Sequence, residues 1–316
     1  MITHDFIASV TNLAARPRER TTRIGMICAM AAPCTGLRMR GLVAGVERVG
    51  GDGARIDIQI AAQVPRVRPS QFFMLRRSDG AGPLLARPFS LYLRKPDAGG
   101  STFSFLLKAM GPGTRALAAM SAGDSVEVVG PLGNGFPILK KGEKLVCVAG
   151  GVGIATFPLV FEEAIANGCA PSDLTLCFGA ARKEFLYECE RYRTYQINVR
   201  TATDDGSEGV RGNALDLLKA ECNNSAARPG ELSRPDKVFA CGPERMLEAV
   251  AKYCLKQSVD CYLSLETKMG CGTGVCNVCA VPVRAKSNDG WPVAKACREG
   301  PVFNVRNLVF TEAHQY

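Results

Sequence analysis

Four cysteines carry the strongest chemical signal in this chain. Cys271, Cys276 and Cys279 lie in Met269-Gly270-Cys271-Gly272-Thr273-Gly274-Val275-Cys276-Asn277-Val278-Cys279, and Cys297 follows after seventeen intervening residues. The order C-x4-C-x2-C and then a distal C is the plant-type ligand pattern for a 2Fe–2S cluster. Sulfide-bridged iron needs thiolates converging from several directions, so the loop must wrap tightly. Gly270, Gly272 and Gly274 permit positive φ and leave little bulk, and backbone N–H groups freed in such a loop can point at sulfur and tune the potential. Four thiolates also suit structural zinc, but zinc ribbons use two C-x2-C pairs at wide separation, and here there is one such pair.

Three further segments have residue types suited to holding a nucleotide cofactor. Gly150-Gly151-Val152-Gly153 follows an apolar strand and opens a helix. Glycines there let the backbone approach a pyrophosphate, and the helix N-terminus supplies N–H groups. The pattern is not a full G-x-G-x-x-G, since Thr156 takes the last position, and no acid ends the next strand. An ordinary strand–helix turn is the plainer reading of that segment alone. Cys241-Gly242-Pro243 follows a second apolar strand, at what would be the same carboxyl edge; alone it reads as a turn with a buried thiol. In Arg87-Pro88-Phe89-Ser90 the arginine suits a phosphate, the ring suits a flat heterocycle and the hydroxyl suits a ring nitrogen. By itself it would be an edge strand carrying a proline.

The elements that must position these residues are of two kinds. From Gly41 to about Lys141 the pattern is β: Arg55-Ile56-Asp57-Ile58-Gln59-Ile60 alternates, as does Ser101-Thr102-Phe103-Ser104-Phe105-Leu106 more loosely. Gly50-Gly51-Asp52-Gly53, Asp97-Ala98-Gly99-Gly100 and Gly111-Pro112-Gly113 bound the runs, which predicts a small antiparallel barrel. From Lys144 onward short apolar strands (Lys144–Ala149, Leu174–Phe178, Gln196–Thr201, Lys237–Ala240) alternate with helical stretches, the first from about Ala155 to Ala166. That alternation predicts a doubly wound parallel sheet. Asn223 to Pro235 reads as a surface loop, and Asn288-Asp289-Gly290 as a hairpin turn between Cys279 and Cys297. The expected fold class is therefore α+β and α/β multidomain. Its parts are an N-terminal extension (1–40), disordered or set by an upstream start, a β-barrel (41–141), an α/β domain (142–257) and a small cysteine lobe (258–316).

Composition narrows the chemistry. The chain has 316 residues and only two histidines, His4 and His314, which argues against His-based metal hydrolysis, Ser-His-Asp and Cys-His mechanisms. The net charge of +9 is scattered, with no basic run interleaved with aromatics, so nucleic-acid binding is not expected. No apolar run reaches membrane-spanning length. The fourteen cysteines, in a chain of this length without a signal-peptide pattern, point to a reducing cytoplasm rather than a disulfide scaffold. Residues 1 to about 40 are arginine-rich and acid-poor, as transit segments are, but Pro17 and Pro33 interrupt any amphipathic helix.

Together these motifs resemble the ferredoxin–NADP reductase superfamily, in which a flavin-binding barrel precedes a nicotinamide-binding α/β domain. The resemblance assigns Arg87, Pro88, Phe89, Ser90, Leu106, Leu107, Lys108, Gly113 and Thr114 to FAD, with Phe89 in place of the usual tyrosine. It assigns Gly150, Gly151, Gly153, Cys241, Gly242 and Pro243 to the nicotinamide nucleotide. A closer resemblance, over roughly Gly41 to Thr311, is to the electron-transfer subunits of NAD-dependent (class 1B) dihydroorotate dehydrogenase. Its specific stretches also include Gly130-Pro131-Leu132-Gly133-Asn134-Gly135-Phe136, Thr203-Asp204-Asp205-Gly206-Ser207 and Cys297-Arg298-Glu299-Gly300-Pro301-Val302-Phe303. It implies an oxidoreductase subunit of de novo pyrimidine (UMP) biosynthesis, with no catalytic acid or base of its own. Electrons would pass from the FMN of a separate catalytic subunit through a 2Fe–2S cluster on Cys271, Cys276, Cys279 and Cys297, then FAD, to NAD+. The expected assembly is a heterotetramer of two of each subunit. A reductase serving an oxygenase or a ferredoxin is the alternative within the same class. In one such group an aspartate stands where this chain has Cys271. A zinc-stabilised binding module is the non-enzymatic alternative.

Overall fold

The computed structural model describes residues 36–97, 99–223, 234–284 and 292–310. Residues 1–35, most of the loop expected from Asn223 to Pro235 and the Asn288-Asp289-Gly290 turn lie outside the described residues.

Alternation builds the first sheet. In β2 (Gly53–Ile60) Ile56, Ile58 and Ile60 are at most 1% exposed, while Arg55, Asp57 and Gln59 turn outward. Each such buried side chain contributes roughly 1.5–3 kcal/mol relative to exposure. Around β2 lie β1 (Leu37–Gly50), β3 (Phe72–Arg77), β4 (Arg87–Ser90), β5 (Leu93–Asp97), β6 (Gly100–Lys108) and β7 (Ser125–Leu132). The order is β4-β3-β7-β1-β2-β6-β5, antiparallel throughout. The two end strands are not hydrogen-bonded to each other, so the expected barrel is a half-barrel. Phe73 fills its interior, edge-on to Phe103 and Phe105 with ring centroids 5.3 and 5.7 Å away. A short helix, α1 (Pro112–Ala118), connects β6 to β7.

Continuous apolar runs build the second sheet. Every residue of β8 (Leu145–Gly150) is buried, as a strand covered on both faces requires. Its companions are β9 (Leu174–Ala180), β10 (Asn198–Thr203), β11 (Val210–Arg211), β12 (Lys237–Cys241) and β13 (Asp260–Ser264). The helices α2 (Phe157–Ala166), α3 (Cys189–Arg193), α4 (Ala214–Asn223) and α5 (Glu244–Gln257) lie between them in sequence. The order is β11-β10-β9-β8-β12-β13 plus one antiparallel strand at the edge, β16 (Val302–Asn304), returning from the cysteine lobe. The chain starts this sheet in the middle at β8, runs outward to β11, then returns to β12 on the other side of β8. The switch point thus falls between β8 and β12, where open α/β sheets bind ligands. The lobe itself holds a two-stranded sheet, β14 (Ala280–Pro282) and β15 (Val293–Lys295).

The two large sheets are braced by polar contacts. Tyr187 donates to Asp52 at 2.6 Å, Arg55 to Glu188 at 3.0 Å and Tyr92 to the same carboxylate at 3.3 Å. Every described cysteine is a free thiol. Among the described residues no helix is long and apolar enough to cross a membrane.

Candidate functional site

One cleft of about 410 Å3 collects residues from all three parts of the chain. The half-barrel supplies the first wall. The antiparallel β3–β4 pair presents Arg87 to Ser90, and the end of β6 presents Leu106 to Lys108. Arg87 Nη1 donates to the Leu85 carbonyl at 2.7 Å. Thr114 closes the first turn of α1, its hydroxyl accepting from Gly111 N at 3.0 Å. All nine residues matched to a flavin segment line the cleft: Arg87, Pro88, Phe89, Ser90, Leu106, Leu107, Lys108, Gly113 and Thr114.

The α/β sheet supplies the second wall, through the adjacent ends of β8 and β12. A 3-10 turn, Gly151–Thr156, leads from β8 into α2. A Cβ on Gly153 would stand 2.4 Å from the Cys241 carbonyl oxygen, so only glycine lets the two turns abut. Of the six residues matched to the nicotinamide segments, Gly153 and Cys241 line the cleft, whereas Gly150, Gly151, Gly242 and Pro243 do not. Burial, then the nearby Glu266 carboxylate, push the Cys241 thiol up to about 12 against a hydrogen bond with Ser264. That thiol is protonated at neutral pH.

The loop after β13 supplies the third wall: Ser264, Leu265, Glu266, Thr267 and Met269, with Pro301 beside them. Glu266 is exposed at its outer edge, but the protein around its carboxyl removes enough water to raise it above the ordinary range. Thr156 and Thr267 border the cleft, and each has a buried hydroxyl with no hydrogen-bond partner among the described residues.

The cysteine loop continues directly from this wall. Gly272 and Gly274 take φ of +71° and +90°. Gly270 does not adopt positive φ; a Cβ there would lie 3.1 Å from Cys276 Sγ, so its role is room for the thiol. Cys271 Sγ accepts from the N–H groups of Thr273 and Cys276, and Cys276 Sγ from that of Cys271, all at 3.4 Å. Burial alone would push the Cys271 thiol up, but these N–H groups bring it down to about 6. Cys279 and Cys297 form a second pair, Sγ to Sγ 3.2 Å. The hydrogen bond between them holds Cys279 at about 6 against burial and pushes Cys297 up. Among the described residues no three His, Cys, Asp or Glu side chains converge on one ion. The thiols stand instead as two pairs. The first lies toward the surface, with Cys276 exposed; the second is buried, Cys279 at 3% and Cys297 at 0% exposure. A set of four thiols, two of them acidified, fits a thiophilic metal group.

The model of the iron-sulfur cluster binding domain of dihydroorotate dehydrogenase B matches residues 266–309. The electron transfer subunit of dihydroorotate dehydrogenase B (NAD(+)) from Clostridium acetobutylicum is 34% identical over 78% of this chain and 88% of that protein. The corresponding subunit from Caldanaerobacter subterraneus is 36% identical over 77% of this chain and 87% of its own length. The chain belongs to the family of dihydroorotate dehydrogenase B electron transfer subunits. As a member of that family it is an oxidoreductase subunit. Its fold is that of the ferredoxin–NADP reductases. A chain of the NADH-dependent reduced ferredoxin-NADP oxidoreductase, known for flavin-based electron bifurcation, superposes with a TM-score of 0.71 at 25% identity, covering 85% of this chain and 89% of that one. The ferredoxin reductase of carbazole 1,9a-dioxygenase superposes at 0.59 with 18% identity, over 71% of this chain and 67% of its own.

Within this electron transfer subunit several cleft residues carry no motif of their own. Glu266, Thr267 and Met269 precede the first cysteine, and their only sequence signal is that proximity. Thr156 stands out only as the residue that breaks the glycine pattern.

Proposed function

We propose that this chain carries electrons from the FMN of a dihydroorotate-oxidising catalytic subunit, through a 2Fe–2S cluster and FAD, to NAD+, as a step of de novo pyrimidine (UMP) biosynthesis. The observation that carries the reading is the single cleft in which the arginine segment, the glycine turn and the cysteine lobe meet. Bound there, a flavin exchanges two electrons with nicotinamide and one at a time with a cluster. The chain's residues hold and orient these groups. Arg87, Gly113 and Thr114 suit the FAD phosphates, and Phe89, Ser90 and Leu106 to Lys108 suit its ring. The glycine turn and the Cys241 turn suit NAD. Cys271, Cys276, Cys279 and Cys297 suit the cluster. Their arrangement as two pairs favours two irons over one tetrahedral zinc.

The buried pair lies in the same core as Phe72 and Met74 of the half-barrel, and Phe72 lines the cleft. The other pair lies near a surface carrying Val275 and Val278, 80% and 55% exposed. That face suits the FMN-containing catalytic subunit, in a cytoplasmic heterotetramer of two of each chain.

The test is reconstitution. The purified chain should hold FAD and about two irons with two acid-labile sulfides. With the catalytic subunit added it should couple dihydroorotate oxidation to NAD+ reduction. Stoichiometric zinc without iron, or no coupling in a fully loaded complex, would overturn the reading.

A further inference from the structure

The stretch Gly130-Pro131-Leu132-Gly133-Asn134-Gly135-Phe136 carries part of the family resemblance, yet none of its residues lines the cleft. Its contacts are with the segment that follows Cys297. Asn134 Nδ2 donates to the carbonyls of Glu299 at 2.8 Å and Val302 at 3.0 Å. Asn134 Oδ1 accepts from Val302 N at 3.0 Å, and the Asn134 backbone N–H donates to the Gly300 carbonyl at 2.6 Å.

The residue type follows from this pattern. Against Val302 the side chain donates and accepts at once, as the peptide group of a neighbouring strand would. A primary amide does both, whereas a carboxylate offers no donor and a hydroxyl has one proton for two carbonyls. The backbone around the amide is held as well. Gly133 takes φ of +71°, and a Cβ there would stand 2.6 Å from the Gly300 carbonyl oxygen. Gln71 Nε2, from the residue before β3, donates to the Gly133 carbonyl at 2.8 Å.

The gripped segment joins two parts of the site. Cys297 lies two residues before Glu299, and the Ala296 N–H donates to the Cys279 carbonyl at 2.9 Å, which ties the segment to the other buried thiol. Farther on, Pro301 lines the cleft, and its carbonyl accepts at 2.9 Å from the N–H of Leu265, another cleft residue. Asn134 thus holds the chain between an inner thiol and the cleft wall, and it does so from the half-barrel that carries Arg87 to Ser90. Leu132, Phe72 and Met74 share a core with Cys279 and Cys297. Apolar packing of that kind is non-directional and resists separation more than sliding, so the hydrogen bonds of Asn134 set the register.

We infer that Asn134 is a positioning residue: its amide fixes the Cys297 segment against the half-barrel and so sets the gap that electrons cross between flavin and cluster. This rests on the electron path proposed above. Electron transfer through protein slows steeply as the gap widens, and a site whose parts are all present fails when its supporting contacts are loose. The stretch from Gly130 to Phe136 thereby acts on the lobe rather than on a cofactor.

The experiment uses the full chain loaded with flavin and cluster. Stopped-flow mixing with NADH reads flavin reduction and the cluster reduction that follows it as separate spectral changes. Asn134→Ala should slow the flavin-to-cluster step about tenfold while flavin reduction by NADH stays within about twofold, since a misplacement of about 1 Å is enough for losses of this size. Asn134→Asp keeps the acceptor for Val302 N but loses both side-chain donors, and should slow the same step. Asn304→Ala removes a different contact of the lobe, Asn304 Nδ2 to Asp260 at 2.8 Å, and should leave the step near wild type. Amide hydrogen exchange on the flavin-free chain gives a readout independent of turnover. The Val302 N–H should exchange faster in Asn134→Ala and stay protected in Asn134→Asp. If the alanine variant holds no cluster, the kinetic comparison on Asn134→Asp decides. A flavin-to-cluster step within about twofold of wild type in the Asn134 variants would overturn the inference and leave the electron path intact. Equal slowing of flavin reduction, or equal slowing in Asn304→Ala, would show general loosening and overturn it too. If wild type passes no electrons from flavin to cluster, the electron path falls and this inference with it.

Discussion

Glu266 is a residue whose charge state follows from its surroundings. Desolvation raises its carboxyl, so the folded chain holds that proton more tightly than the unfolded chain does. For an acid with a raised folded value, stability is greatest below the ordinary glutamate range. It falls as pH rises through that range toward the raised value. Glu266→Gln should therefore melt higher than wild type at pH about 8, and the two should converge near pH 4, close to the ordinary glutamate value. Thermal melts of the flavin-free protein at both pH values measure this. An equal gap at both would mean the difference is packing rather than charge. The same carboxylate helps hold the Cys241 thiol up, so that thiol should come down in the Gln variant.

At the scale of elements, the contact that matters most is between the ends of β8 and β12. Their turns close on each other only because Gly153 has no side chain. Gly153→Ala would drive a methyl group into the Cys241 carbonyl, and that clash is with backbone, which yields poorly. A destabilisation of ~1–3 kcal/mol is expected, as for overpacking elsewhere, measured by urea unfolding. NADH affinity should fall with it. Unchanged stability would mean that the β8–β12 edge relaxes freely. The cysteine loop is seated in a similar way. Gly272 takes positive φ against Met74 of β3, which ties the lobe to the half-barrel.

At the scale of the whole molecule, the two thiol pairs differ in burial. The buried pair shares a core with Phe72 and Met74 of the half-barrel, whereas Cys276 of the other pair is exposed. If electrons enter by the outer pair, damage to the inner one interrupts transfer while leaving the flavin wall untouched. Cys279→Ser should abolish coupling to dihydroorotate oxidation by the catalytic subunit. It should keep most NADH-driven reduction of a soluble dye, which flavin can serve directly. Comparing both activities on one preparation decides the matter. Coupling equal to wild type would take the cluster off the path.

The cysteine spacing was legible from sequence because Cys271, Cys276 and Cys279 sit in one loop whose geometry is set by near neighbours. Strand identity was legible too: alternation at Ile56, Ile58 and Ile60 and the unbroken apolar run of β8 each report local burial. Position within the site was not. The six residues of the two glycine-bearing turns look alike in sequence, yet only Gly153 and Cys241 reach the cleft. Which of them do so depends on β12 lying between β8 and β13. Gly270 looked like a positive-φ glycine and is a space for sulfur. Thr156, Glu266 and Thr267 belong to no pattern, since each reaches the cleft only through walls contributed by distant segments. Sequence alone determined the sheet types and the family, and singled out the four cysteines. Tertiary structure decided which side chains share the cleft, because burial and missing partners exist only once three separate parts of the chain close around one space.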